Sequence, residues 1–167
     1  MTKLTIDGID IEIGFAELAD LVSYVKDHED NQSFFAKLSQ HPSARVRRSV
    51  ADKAKIDEAT AEILGKDEDL EVLRTIARND TFKKVAKDAD INRLAQLGDA
   101  ELCSSIASDL ENFENCDTSK IVDLLSTSKD PGIRMAIAEN WNTPKKVLKK
   151  FANDPDLDVR RAAKRDD

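Results

Sequence analysis

The stretch AENWNTPKKVLKKFANDPDLDVRRAA, residues 138–163, decides how the rest of this chain is read. It holds two short apolar stripes at helical spacing, Val147, Leu148 and Phe151 and then Val159 and Ala163, separated by Asp154-Pro155. Each stripe alone is too short to bury a core, so a chain built this way must stack copies of the unit.

Copies are present upstream. An aliphatic residue followed four positions on by an apolar one, usually with Ala next, occurs at Val46/Val50/Ala51, Val72/Ile76/Ala77, Leu102/Ile106/Ala107, Ile133/Ile137/Ala138 and Val159/Ala163. The first residues of these anchors are 26, 30, 31 and 26 positions apart. Eleven and eight positions before each anchor stand Phe35 and Leu38, Ala61 and Leu64, Ile91 and Leu94, Val122 and Leu125, and Leu148 and Phe151, all apolar. Two helices per unit, each with a buried stripe, account for that register. The residues in excess of 26 fall between units, in NDTFKKVAKDA (79–89) and SDLENFENCDTS (108–119). The pattern predicts a mainly all-α fold, a stack of about five helical pairs over residues 33–167.

Helix starts agree with this division. Asp154-Pro155 reads as an N-cap with proline in the first turn, and Thr143-Pro144 does the same for the preceding helix. The unit from Asp90 to Ala107 is the poorest copy, with Gly98-Asp99 where proline might stand and no arginine after its anchor.

Residues 1–32 read differently. TKLTIDGIDIEI (2–13) alternates polar and apolar around Asp7-Gly8, a pair suited to a type I′ turn. That turn sets Ile6 opposite Ile9 and Leu4 opposite Ile11, with Thr5 facing Asp10 and Lys3 facing Glu12 on the wet side. A lone hairpin is marginal in water, so it is expected to lie against the amphipathic segment from Phe15 to Lys26, the two forming a cap over the first repeat. The alternative use of the hairpin is an edge that accepts a partner strand.

Composition bounds the function. Of 167 residues 35% are charged, and the net charge of -7 repels polyanions unless one face is locally basic. No apolar run reaches signal-peptide or membrane-span length, so a cytoplasmic location and no membrane partner are expected. Cys103 and Cys116 are too few for a disulfide framework or a metal set, and reduced thiols follow.

The run 138–163 resembles the leucine-rich repeat variant motif, a relative of HEAT-type helical repeats. Asn140, Asn142, Thr143 and Pro144 match its turn, with Trp141 where a proline is usual, and Leu148, Asp154, Pro155, Val159 and Arg160 match the remainder. His41-Pro42 with Val46-Arg47, and Asp130-Pro131 with Ile133-Arg134, match in other units. The resemblance implies a right-handed superhelix of paired helices and no enzymatic activity. An iron–sulfur cysteine cluster described in that family has no counterpart, because no cysteine precedes Cys103. No cofactor and no metal are expected.

The most suggestive residues form a basic column just after the anchors: Arg47, Arg48, Arg74, Arg134, Arg160 and Arg161. Stacking would bring them into a ladder able to grip carboxylates or phosphates. Equally, each can pair with acids in a neighbouring loop, such as Asp156 or Asp158, and hold adjacent units together. Trp141 is either an exposed binding aromatic or a cover for a core edge. His28 and His41 sit in polar loops with no nucleophile or carboxylate pair at a useful spacing, and Cys103 occupies the arginine column without a nearby histidine. The expected function is a non-enzymatic interaction or scaffold module that holds a protein or peptide on its surface. The alternative is a nucleic-acid-binding or base-repair protein using an Arg-lined groove.

Overall fold

The hairpin forms in the register its turn dictates. In the computed structural model, which describes residues 2–164, β1 (Thr2–Ile6) pairs antiparallel with β2 (Ile9–Ile13), Ile6 opposite Ile9 and Leu4 opposite Ile11. Asp7 and Gly8 take φ of 49° and 80°, as a type I′ turn requires. Its apolar side is not covered: Ile6, Ile9 and Ile11 are 54%, 68% and 41% exposed. The cause lies in the following helix, α1 (Phe15–Tyr24), which spends Leu18, Ala19 and Val22 on packing against the first repeat instead. The root of the hairpin is tied down by a hydrogen bond between Thr2 Oγ1 and His41 Nε2 at 3.3 Å, next to an edge-on contact of Phe15 with His41.

The remaining described residues are mostly helical. A 3₁₀ turn (Glu29–Asn31) leads to α2 (Gln32–Leu38), α3 (Ala44–Ala51), α4 (Glu58–Leu64), α5 (Leu70–Ile76) and α6 (Asp80–Val85). Then come α7 (Asp88–Gln96), α8 (Ala100–Ser108), a second 3₁₀ turn (Leu110–Asn112), α9 (Thr118–Leu125), α10 (Pro131–Glu139), α11 (Lys145–Phe151) and α12 (Leu157–Ala162). Two compact units divide the chain, the boundary falling between Phe82 and Lys83.

Within the first unit α1, α3 and α5 pack side by side in a row, with α2 and α4 against α3. Within the second, α8, α10 and α12 form such a row, and α7 and α9 pack on each other beside it. Both rows are made of the anchor helices, and the anchor residues Val46, Val50, Val72, Ile76, Leu102, Ile106, Ile133, Ile137 and Val159 are buried in them. Helix α1 is a further member of the first row, since Leu18 and Val22 carry the same four-residue spacing and are equally buried.

A polar side chain seven positions after the anchor ties each row together. Lys53 Nζ donates to the carbonyls of Ser23 and Val25, both at 2.9 Å. Asn79 Nδ2 donates to those of Ala51 and Lys53 at 3.1 and 2.8 Å, and Asn140 Nδ2 to those of Ala107 and Ser108 at 3.0 and 3.1 Å. Each thereby satisfies carbonyls that the end of the preceding anchor helix leaves without a partner.

The two inter-unit insertions are not slack. The first contributes α6 and buried Phe82, whose ring lies where a Cβ on Gly65 would stand. The second contributes the 3₁₀ turn with buried Leu110 and the adjoining Phe113. Asp109, at the start of that turn, accepts from the buried Lys83 at 2.8 Å.

Candidate functional site

The arginine column separates into two faces, because residues one and two positions after an anchor point about 100° apart on a helix. On the first face Arg47 and Arg134 occupy the same setting twice. Arg47 places Nε 2.6 Å from Asp67 Oδ2 and Nη2 2.8 Å from Oδ1, while Nη1 donates to the carbonyls of His41 and Pro42 at 2.8 and 3.1 Å. Arg134 repeats this on Asp154 at 2.8 and 2.9 Å, and on the carbonyls of Ser128 and Lys129 at 2.8 and 3.1 Å. The carboxylates lie twenty residues on, in the turn that starts the next anchor helix, and each also accepts a backbone N–H two residues ahead, of Asp69 or Asp156.

Both pairs are withdrawn from water, with side chains 18% and 6% exposed in the first and 11% and 6% in the second. The Arg134 guanidinium holds the Asp154 carboxyl below the ordinary carboxylate range. Burial pushes the Asp67 carboxyl up, but the bonds from Arg47 and the turn backbone outweigh it and leave it lowered. These arginines clamp one layer to the turn of the next and offer no guanidinium fork to a ligand. Arg160 holds its own turn in the same way, Nη1 donating to the carbonyls of Asp154 and Pro155. Among the described residues no carboxylate is bonded to its Nε or Nη2.

The acid that Arg134 takes is thus Asp154 and not Asp156, while Asp158, the other expected partner, pairs with Arg161. Asp156 is instead the N-cap of α12, accepting from the N–H groups of Asp158 and Val159, so the helix starts two residues later than Asp154-Pro155 suggests. The reason is that Asp154 is taken by Arg134.

On the second face stand Arg48, Arg74 and Arg161. Arg74 Nη1 is 2.7 Å from Glu71 Oε1, with Arg48 at 3.8 Å from the other oxygen, and Arg161 meets Asp158 at 3.1 Å. Arg48 and Arg161 remain largely in solvent, where such pairs contribute little. Arg48 and Arg78 line a polar hollow of about 210 Å³ in the first unit, with Ser23, Ser49, Asp52 and Thr75. The three hydroxyls there donate back to carbonyls of their own helices.

Trp141 lies 82% exposed, at the bend between α10 and α11. It forms the rim of a cavity of about 150 Å³ with Glu111, Glu139, Asn140 and Asn142. Glu111 Oε2 accepts from Asn142 Nδ2 at 3.1 Å and, more distantly, from Asn140 Nδ2 at 3.4 Å. Its carboxyl is held below the usual range first by a bond from its own backbone N–H; burial opposes this, and the two amides and the Lys83 charge add to the lowering. Nothing in the period distinguished Glu111, since it belongs to an insertion that folds back onto the end of α10.

The other candidates have structural employment. His41 Nδ1 accepts the N–H of Ser43, doing at its turn what Asp67 and Asp154 do at theirs, and burial pushes its pKa down. His28 Nδ1 likewise accepts from Asp30 at the first 3₁₀ turn. Cys103 is buried, its Sγ directed at the Ala95 carbonyl, and burial pushes its thiol up to about 11. Cys116 is raised to about 11 for the same reason. Among the described residues no group of three or more His, Cys, Asp or Glu is placed to hold a metal, and no helix is long and apolar enough to cross a membrane.

No family model, curated protein or solved structure matches the chain.

Proposed function

We propose that this chain is a non-enzymatic binding module that takes a protein or peptide on the surface of a leucine-rich-repeat-variant-like solenoid in the cytoplasm. The single observation that carries the reading is Trp141, an indole left 82% exposed beside a cavity in a turn that the repeat otherwise fills with buried Asn140 and Thr143. A large exposed aromatic beside a hollow is the kind of anchor that binding interfaces concentrate. The anchor-helix rows and the twice-built arginine clamp support the solenoid part, since both are nearest-neighbour devices that extend layer by layer.

The Arg-lined nucleic-acid groove draws less support. Three of its six arginines spend their guanidinium groups on turn carbonyls, two of them also on buried carboxylates. The test is a crosslinked pull-down from native lysate with the natural chain and with Trp141→Ala. A specific partner lost in the variant is the expected result. Recovery of no specific partner, or equal recovery by both, overturns the reading, and salt-dependent DNA binding at low ionic strength revives the groove.

A further inference from the structure

We propose that the Trp141 cavity binds the cationic side chain of an arginine or lysine presented by an extended peptide. This rests on the reading of Trp141 as the partner-binding anchor and adds the chemistry of what it holds.

Four observations converge. The cavity, about 150 Å³, is about five times the roughly 30 Å³ that one water occupies in the liquid, enough for a head group and its last methylenes and too small for a packed helix. Two of its lining side chains are carboxylates, Glu111 and Glu139, and none is lysine or arginine. Glu111 is positioned as well as charged, because the amides of Asn142 and Asn140 orient it and its lowered pKa keeps it ionised at neutral pH. Asn140 is fixed in turn by its bonds to the Ala107 and Ser108 carbonyls, so the carboxylate rests on the structural tie between α8 and α10.

The exposed indole selects for the same ligand. A ring face attracts a cation held within about 6 Å of its centroid, and guanidinium stacks on it more readily than ammonium. The methylenes of the same side chain cover apolar surface of Ala136 and Trp141. An anionic side chain meets two like charges there, and an aliphatic one adds no charge-assisted bond to the amides that Glu111 already accepts from.

Trp141 is the only tryptophan in the chain, so its fluorescence reports the site directly. The probes are capped pentapeptides of glycine with arginine, lysine, norleucine or glutamate at the centre, titrated at constant ionic strength. A saturable change with the arginine peptide is expected, with the lysine peptide somewhat weaker. The norleucine peptide should bind at least about tenfold more weakly, a difference of about 1.4 kcal/mol. Glu111→Gln should weaken the arginine peptide by a similar factor. Glu139→Gln, on an exposed position, should weaken it less and guards against a folding defect in the first variant. Equal affinity for norleucine, an unchanged affinity in both variants, or no saturable response at millimolar peptide overturns the proposal. If a crosslinked partner still depends on Trp141 while the arginine peptide gives no response, the cation assignment falls and the binding-module reading stands.

Discussion

Anchors that lie 26 residues before the next one and anchors that lie 30 or 31 before it are followed by different kinds of residue. After Val46 and Ile133 the next anchor comes 26 residues on, and the residue following each is an arginine that clamps the turn ahead. After Val72 and Leu102 the interval is 30 or 31, and the corresponding residues are Leu73 and Cys103, both buried. Twenty positions on from these stand Arg93 and Asp123, which lie within α7 and α9 and not in a turn. The clamp therefore works only at one interval, since its arginine and its aspartate must be twenty residues apart. Lengthen the connection and the aspartate moves out of reach, so an unpaired buried arginine would be left behind. Where the interval is longer, the insertion contributes buried apolar side chains, Phe82 in the first and Leu110 and Phe113 in the second.

That contrast can be broken from either side. Phe82→Ala removes a buried ring from a long layer and should destabilise the first unit by about 4 kcal/mol, read by chemical denaturation followed by circular dichroism. A loss under about 1 kcal/mol would mean that the insertion is dispensable padding. Arg134→Ala leaves Asp154 buried without its partner and should cost about 3 kcal/mol in the second unit, read by the same denaturation. Arg47→Ala should do the same in the first unit. Arg160→Ala, which removes only the bonds to turn carbonyls, should cost about 1 kcal/mol or less, and equality with Arg134→Ala would sink the distinction between clamped and unclamped arginines.

The clamps also set an acid dependence. Asp67 and Asp154 have folded pKa values below the ordinary carboxylate value of about 3.9, so their contribution is present above that pH and is lost as pH falls through the lowered folded values. Replacing the second clamp by Arg134→Met with Asp154→Leu should flatten the acid limb of the stability profile while leaving the neutral region nearly unchanged. The smallest effect concerns the long layers. With thiols raised to about 11, Cys103 and Cys116 should react slowly with a disulfide reagent at pH 8 and quickly once the fold is opened by denaturant. Fast reaction in the native state would contradict the burial of Cys103.

Much of this architecture was legible in the residues. The anchors, the five apolar pairs before them and the hairpin register follow from periodicity and turn chemistry, which are local properties. Helix α1 was legible as a helix and not as a member of the first row, because no preceding apolar helix marks it as half of a pair. The arginine column was visible but its two faces were not, since adjacency in sequence conceals the 100° that separates Arg47 from Arg48. Of the candidate site, Trp141 could be singled out by its rarity, whereas Glu111 could not, lying thirty residues away in a connection with no period.

By itself, the sequence determined where helices form, which stripe of each is apolar and how many residues separate the layers. These depend on side-chain spacing along a backbone whose geometry is known in advance. Only the tertiary structure decided what the polar residues do. Whether Arg134 is a ligand site or a clamp depends on a carboxylate twenty residues away arriving within 3 Å, and whether Trp141 covers core or faces solvent depends on what neighbouring helices leave uncovered. Such outcomes are set by distances between elements, which no local pattern encodes.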